Sequence, residues 1–205
     1  MSAFGAGCAG DGSFAGGSPP YLSTRNTVSL PAAQTVYHLY VAQGFYGASA
    51  VYRYRLRADG LPSKKPEGKL TLDFPFPGSI AVDREGELYV SSSGAGSGCR
   101  KKSCFVDVFA RGASNQAKPI RVLYVPQQPV FLAVDQRGYL DVSTHPGWQK
   151  PVTNVYAPGA KGNDRPINEI TTWGVNALGA SRGKLYIQTV PLGMGVEAVT
   201  ERPST

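Results

Sequence analysis

A chain of 205 residues with 41% hydrophobic and 17% charged residues is long enough to bury a core without help from metals. Its 25 Gly and 16 Pro favour turns and short strands over long helices, and no run of about 18 apolar residues is present to form a membrane-spanning helix. A formal charge of +7 inclines it toward anionic partners such as nucleic acid, acidic glycans or lipid headgroups, without identifying one.

Residues 1–24 are mostly Gly, Ser and Ala without periodicity and read as a flexible leader, with the structured part over 25–205. The basic n-region and apolar h-region of a secretory signal are not seen in them. Gly5-Ala6-Gly7-Cys8, followed by Gly/Ser-rich chain, resembles the region around the lipidated cysteine of bacterial lipoproteins, with Gly5 where a Leu is usual. That resemblance implies lipidation at Cys8 and an extracytoplasmic place, in the periplasm or at the cell surface, over a cytoplasmic one. Composition alone favours an ordinary cysteine in a tether.

Thr27 to Pro31 has the pattern of a lone strand. Leu39 to Ala42 and Val51 to Tyr54 then read as strands, Asp59-Gly60 as a turn, and Lys69 to Leu72 as a further strand. Alternate spacing puts Arg53, Arg55 and Arg57 on one face of a strand and Tyr52 and Tyr54 on the other. Lys64, Lys65 and Lys69 form a second basic cluster.

The middle of the chain repeats itself. Residues 80–92 (IAVDREGELYVSS) and 132–144 (LAVDQRGYLDVST) agree at seven of thirteen positions without a gap, and 177–189 (ALGASRGKLYIQT) is a degenerate third copy. A second pair, 105–120 (FVDVFARGASNQAKPI) and 152–167 (VTNVYAPGAKGNDRPI), agrees at six of sixteen positions. Each copy reads as a strand, a tight turn at Gly86 or its counterparts Gly138 and Gly183, a second strand, a longer connection, then a third and fourth strand. Four short antiparallel strands per repeat match a propeller blade, with a solenoid as the competing architecture. A four-stranded sheet has two apolar faces and must stack on copies of itself to bury them.

The expected fold is therefore an all-β β-propeller of four-stranded antiparallel blades, near residues 27–73, 76–124, 129–171 and 173–200. It has about four blades, or is a fragment of a larger propeller. Val196 to Thr200 reads as a lone third strand that could pair with Thr27 to Pro31 and close the ring, which would favour a monomer.

Cys99 and Cys104 bracket Arg100, Lys101, Lys102 and Ser103. They suit a disulfide in an oxidising compartment and free thiols in the cytosol. A lone C-x4-C with only His38 and His145 elsewhere does not make a zinc site, and no cofactor is implied. Asp83 and Asp135 end matching strands three residues before a Gly, where an Asx turn accounts for both; a carboxylate ring across a central channel is the functional alternative, broken at Ala180. No nucleophile with its base and no acid pair stands out.

The pattern x-A-V-D-x-x-G-x-L-Y-V, then V-x-V-Y/F-A-x-G-A, then P-I, resembles the NHL-like propeller repeats of bacterial extracytoplasmic proteins over about residues 27–200. The resemblance implies a fold and a binding habit, and carries over no functional residue. The leading expectation is a non-enzymatic binding or scaffolding propeller that engages an anionic macromolecule through rim loops. Arg53, Arg55, Arg57, Arg100, Lys101 and Lys102 are the candidate contacts. A nucleic-acid-binding propeller, which the resemblance to NHL-type proteins that bind RNA through a basic face implies, and a lactonase- or lyase-like enzyme with His38 or His145 are the alternatives.

Overall fold

The computed structural model describes residues 36–45, 48–92, 99, 103–145, 151–171, 174–181, 183–189 and 199–201. The leader with Cys8, the segment Thr27 to Pro31, and Arg100, Lys101 and Lys102 lie outside the described residues. What is described is all-β: fourteen strands, every pair antiparallel, and no helix.

The strands form four sheets, each running through consecutive strands in chain order. The first holds β1 (His38–Phe45), β2 (Ala48–Arg55) and β3 (Gly68–Leu72). The second holds β4 (Pro77–Val82), β5 (Leu88–Ser92), β6 (Phe105–Phe109) and β7 (Arg121–Tyr124). The third holds β8 (Gln128–Val134), β9 (Leu140–His145), β10 (Val152–Tyr156) and β11 (Asn168–Thr171). The fourth holds β12 (Val175–Ser181), β13 (Lys184–Thr189) and β14 (Val199–Glu201). No sheet closes on itself.

The sequence repeats occupy like places in the second and third sheets. Ile80 pairs with Val90 as Leu132 pairs with Val142, and Phe105 pairs with Tyr124 as Val152 pairs with Thr171. Gly86, Gly138 and Gly183 take the left-handed conformation (φ 85°, 83° and 74°) that their shared turn requires. The leading strands of the second, third and fourth sheets are also bulged near their starts, between Pro77 and Ile80, Pro129 and Phe131, and Val175 and Ala177, which bends and twists each strand locally.

Because paired residues share a face, β5 sends Leu88 and Val90 one way and Tyr89 and Ser91 the other. Leu88, Val90 and Phe109 meet Val51, Leu70, Leu72 and Phe74 between the first and second sheets. On the opposite face Tyr89, Val106, Val108 and Leu123 meet Leu132, Leu140, Val142 and Tyr156 of the third. Both faces of the second sheet are thus covered, so all of β5 is buried and its sequence is a continuous run, not an alternation. Each such side chain contributes roughly 1.5–3 kcal/mol on burial.

The sheets stack in chain order, with β1 against β4, β4 against β8 and β8 against β12. Serines stitch the second of these contacts: Ser91 Oγ accepts from the Ser79 N–H (2.8 Å), and Ser79 Oγ accepts from the Leu132 N–H across the interface (3.1 Å).

Candidate functional site

The strand order gives the stack two ends of different character. At one end lie the tight first-to-second turns and the third-to-fourth turns; at the other lie the connections between second and third strands. The turn end is uniform between the second and third sheets, whereas β5–β6 spans residues 93–104 and β9–β10 only 146–151.

At the turn end the repeated aspartates are held by backbone. Asp83 Oδ1 accepts from the Glu87 N–H (2.8 Å), and its Oδ2 accepts from the Tyr89 hydroxyl (3.1 Å). Asp135, almost wholly buried, accepts at Oδ1 from the N–H groups of Arg137 (2.9 Å) and Tyr139 (3.0 Å), with Arg137 Nε 3.5 Å from Oδ2. These are the bonds of an Asx turn. Burial raises the Asp83 pKa, and the Glu87 N–H and Tyr89 hydroxyl partly offset it.

Beside Asp83, the Arg121 guanidinium grips Glu87 through both carboxylate oxygens and donates to the Tyr89 hydroxyl (3.3 Å). Burial works against the Arg121 charge, but the bond to Glu87 more than compensates and its pKa rises. Burial first, and then the Asp83 charge, push the Tyr89 phenol well above its usual value, so it serves as a donor and not as a base. The network is bonded within itself.

The basic stripe divides. Arg53 and Arg55 share the face of β2 that carries Val51, while Arg57 lies past the end of the strand and pairs with Asp59 at 3.0 Å. Arg53 is half-buried: its guanidinium rests against Gly68 and Gly112, where a Cβ at Gly112 would come within 3.2 Å of Nη1. Arg55 is exposed. On the other face Lys69 Nζ sits 5.8 Å from the centre of the Tyr52 ring. His38 Nε2 lies 3.2 Å from Glu67 Oε2 at the surface, and the His145 side chain lies outside the described residues. Among the described residues no group of three or more His, Cys, Asp or Glu could hold a metal ion.

At the loop end Cys99 and Cys104 are joined by a disulfide, with Cα atoms 5.0 Å apart. Cys104 is buried among Val106, Leu123 and Val125, so the bond ties Cys99 to the core. Closing so short a loop is worth about 2 kcal/mol on the chain-entropy account. Replacing both cysteines with serine is expected to lower the unfolding free energy by about that amount, read from chemical denaturation with and without reductant.

Two backbone contacts between sheets escape sequence reasoning. The third-to-fourth turn of the second sheet reaches back to the first: the Asn115 N–H donates to Lys69 O (2.6 Å) and the Thr71 N–H donates to Asn115 O (2.7 Å). Gly162, 47 residues on, does the same to the second sheet through Val122 O (2.6 Å) and the Tyr124 N–H (2.8 Å). Both residues are left-handed, at φ 58° and 60°. Each turn thus clasps the outer edge of the preceding sheet in a one-residue parallel bridge. The only sequence signal was that Asn and Gly, the two residues that tolerate this conformation, hold the same repeat position.

A Cβ at Gly162 would meet nothing within 4 Å, so the constraint there is conformational. Gly162→Asn is expected to change stability by only a few tenths of a kcal/mol, and Gly162→Val to cost about 1–2 kcal/mol, compared by urea denaturation.

No protein-family model matches the chain, and no curated protein matches it. Function is therefore read from the residues themselves.

Proposed function

We propose that the four sheets are blades of a propeller, and that the chain is a non-enzymatic scaffold binding an anionic macromolecule through its loop end. The observation that carries this reading is the contrast between the ends. The turn end is repeated and its aspartates are committed to turns, while the loop end is where the repeats diverge. In the sequence, Arg100, Lys101 and Lys102 fall between the disulfide-bonded Cys99 and Cys104. Stacking of three- and four-stranded antiparallel sheets through their leading strands supports the propeller, and the disulfide supports work in an oxidising compartment. The Arg53 guanidinium, laid against Gly68 and Gly112, is poorly placed to join a recognition stripe on β2.

The test is a salt titration of heparin binding by the full chain and by the Arg100→Ala, Lys101→Ala, Lys102→Ala triple variant. Binding that weakens with salt, with a shallower slope for the variant, supports the reading. Equal affinity of the two proteins, or no binding at low salt, removes it.

A further inference from the structure

The clasps define a series of outer edges. β3 is bridged by Asn115 of the second sheet and β7 by Gly162 of the third; β11 is the next outer strand in the same series. Its register on β10 repeats that of β7 on β6. Glu169 pairs with Asn154, Ile170 with Thr153 and Thr171 with Val152, as Val122 pairs with Asp107, Leu123 with Val106 and Tyr124 with Phe105.

In β7 the groups that point away from β6 and take the clasp are the Val122 carbonyl and the Tyr124 N–H. By the same register the Glu169 carbonyl and the Thr171 N–H point away from β10. Among the described residues neither makes a backbone hydrogen bond beyond its own sheet. Glu169 and Thr171 are both exposed, as are Asn168 beside them and Ile167.

We propose that the outer edge of β11 is a docking site for a turn of a partner polypeptide that places one left-handed Gly or Asn between the Glu169 carbonyl and the Thr171 N–H. Continuity with the two internal clasps sets the geometry, and their φ values set the residue type. The exposed Glu169 carboxylate favours a partner turn with a basic residue nearby, as Lys118 in the Asn115 turn meets Asp73 at the end of β3 (2.7 Å). The bond is made with backbone, so the affinity comes from strand addition and the selectivity from the left-handed residue. This site is made of β11 backbone and contains none of Arg100, Lys101 and Lys102, so its test is independent of theirs.

The experiment uses the full chain and a synthetic peptide with the sequence of residues 157–166, which contains the Gly162 clasp. Amide exchange of the free protein is expected to show Thr71 and Tyr124 protected and Thr171 fast. Adding the peptide should slow Thr171 at least tenfold. Binding should fall more than tenfold for a peptide with Val at the Gly162 position, and for Thr171→Pro, which removes the outward-facing N–H. A Thr171 amide already slow in the free protein would mean that the chain's own residues cover the edge, and overturns the proposal. A fast amide that the peptide leaves unchanged overturns it too. Because exchange is read on the unaltered protein, the result does not depend on how well the proline variant folds.

Discussion

Leu123→Ala is expected to lower the unfolding free energy by about 2–5 kcal/mol, with a lower denaturation midpoint at an unchanged slope. Leu123 is 0% exposed and sits where three contacts coincide. It belongs to the core between the second and third sheets, pairs with Val106 in its own sheet, and is the residue bridged by Gly162. Strand and clasp hold its surroundings from both sides, so the cavity left by truncation has little freedom to collapse. Leu70, the equivalent residue of the first sheet and bridged by Asn115, should lose a similar amount. Ile170, at the same place on β11, is only half-buried and has no clasp among the described residues. Ile170→Ala should therefore cost less than half as much. Equal losses at all three positions would show that the clasped edges add nothing to the packing.

Much of the fold was legible because the chain states it twice. Two copies of A-V-D-x-x-G-x-L and two of V-x-A-x-G-A cannot both be chance, and period-two patterning with turn glycines converts directly into antiparallel hairpins. Arg57 shows where pattern fails: alternation continued past Arg55 on paper, but the strand ends there and the chain turns through Asp59 and Gly60. Arg53 shows a second limit, since spacing gives a face but not what covers it, and that face is the one turned to the next sheet. The clasps were invisible because they are backbone bonds between residues 38 to 46 positions apart, and no side chain advertises them. Asp107 went unnoticed for a related reason. An acidic residue in a strand reads as solvent-facing until both faces of the sheet prove to be covered.

Among the described residues, Asp107 is the carboxylate whose burial should register most in the pH dependence of stability. It lies on β6, on the face that packs against the first sheet, and is 8% exposed. Burial, with a smaller contribution from Asp73, raises its pKa from 3.8 to about 6. In the unfolded chain the group ionises near 3.8, so between that value and about 6 the folded state holds a proton that the unfolded state has released. Its stabilising share is present in full below 3.8 and lost as the pH rises through 6. At 1.36 kcal/mol per pKa unit, the loss amounts to about 3 kcal/mol by neutral pH. The third sheet already contains the remedy: Asn154 stands at the equivalent place on β10, buried and uncharged. Asp107→Asn is expected to match the parent protein at pH 4 and to exceed its stability by up to about 3 kcal/mol at pH 7–8, with the gap opening between pH 4 and 6. Asp73→Asn should move the same transition slightly downward by removing the second cause. Urea unfolding at one-unit pH steps reads all three proteins, and a gap of constant size across that range would mean that the Asp107 proton is not what separates them.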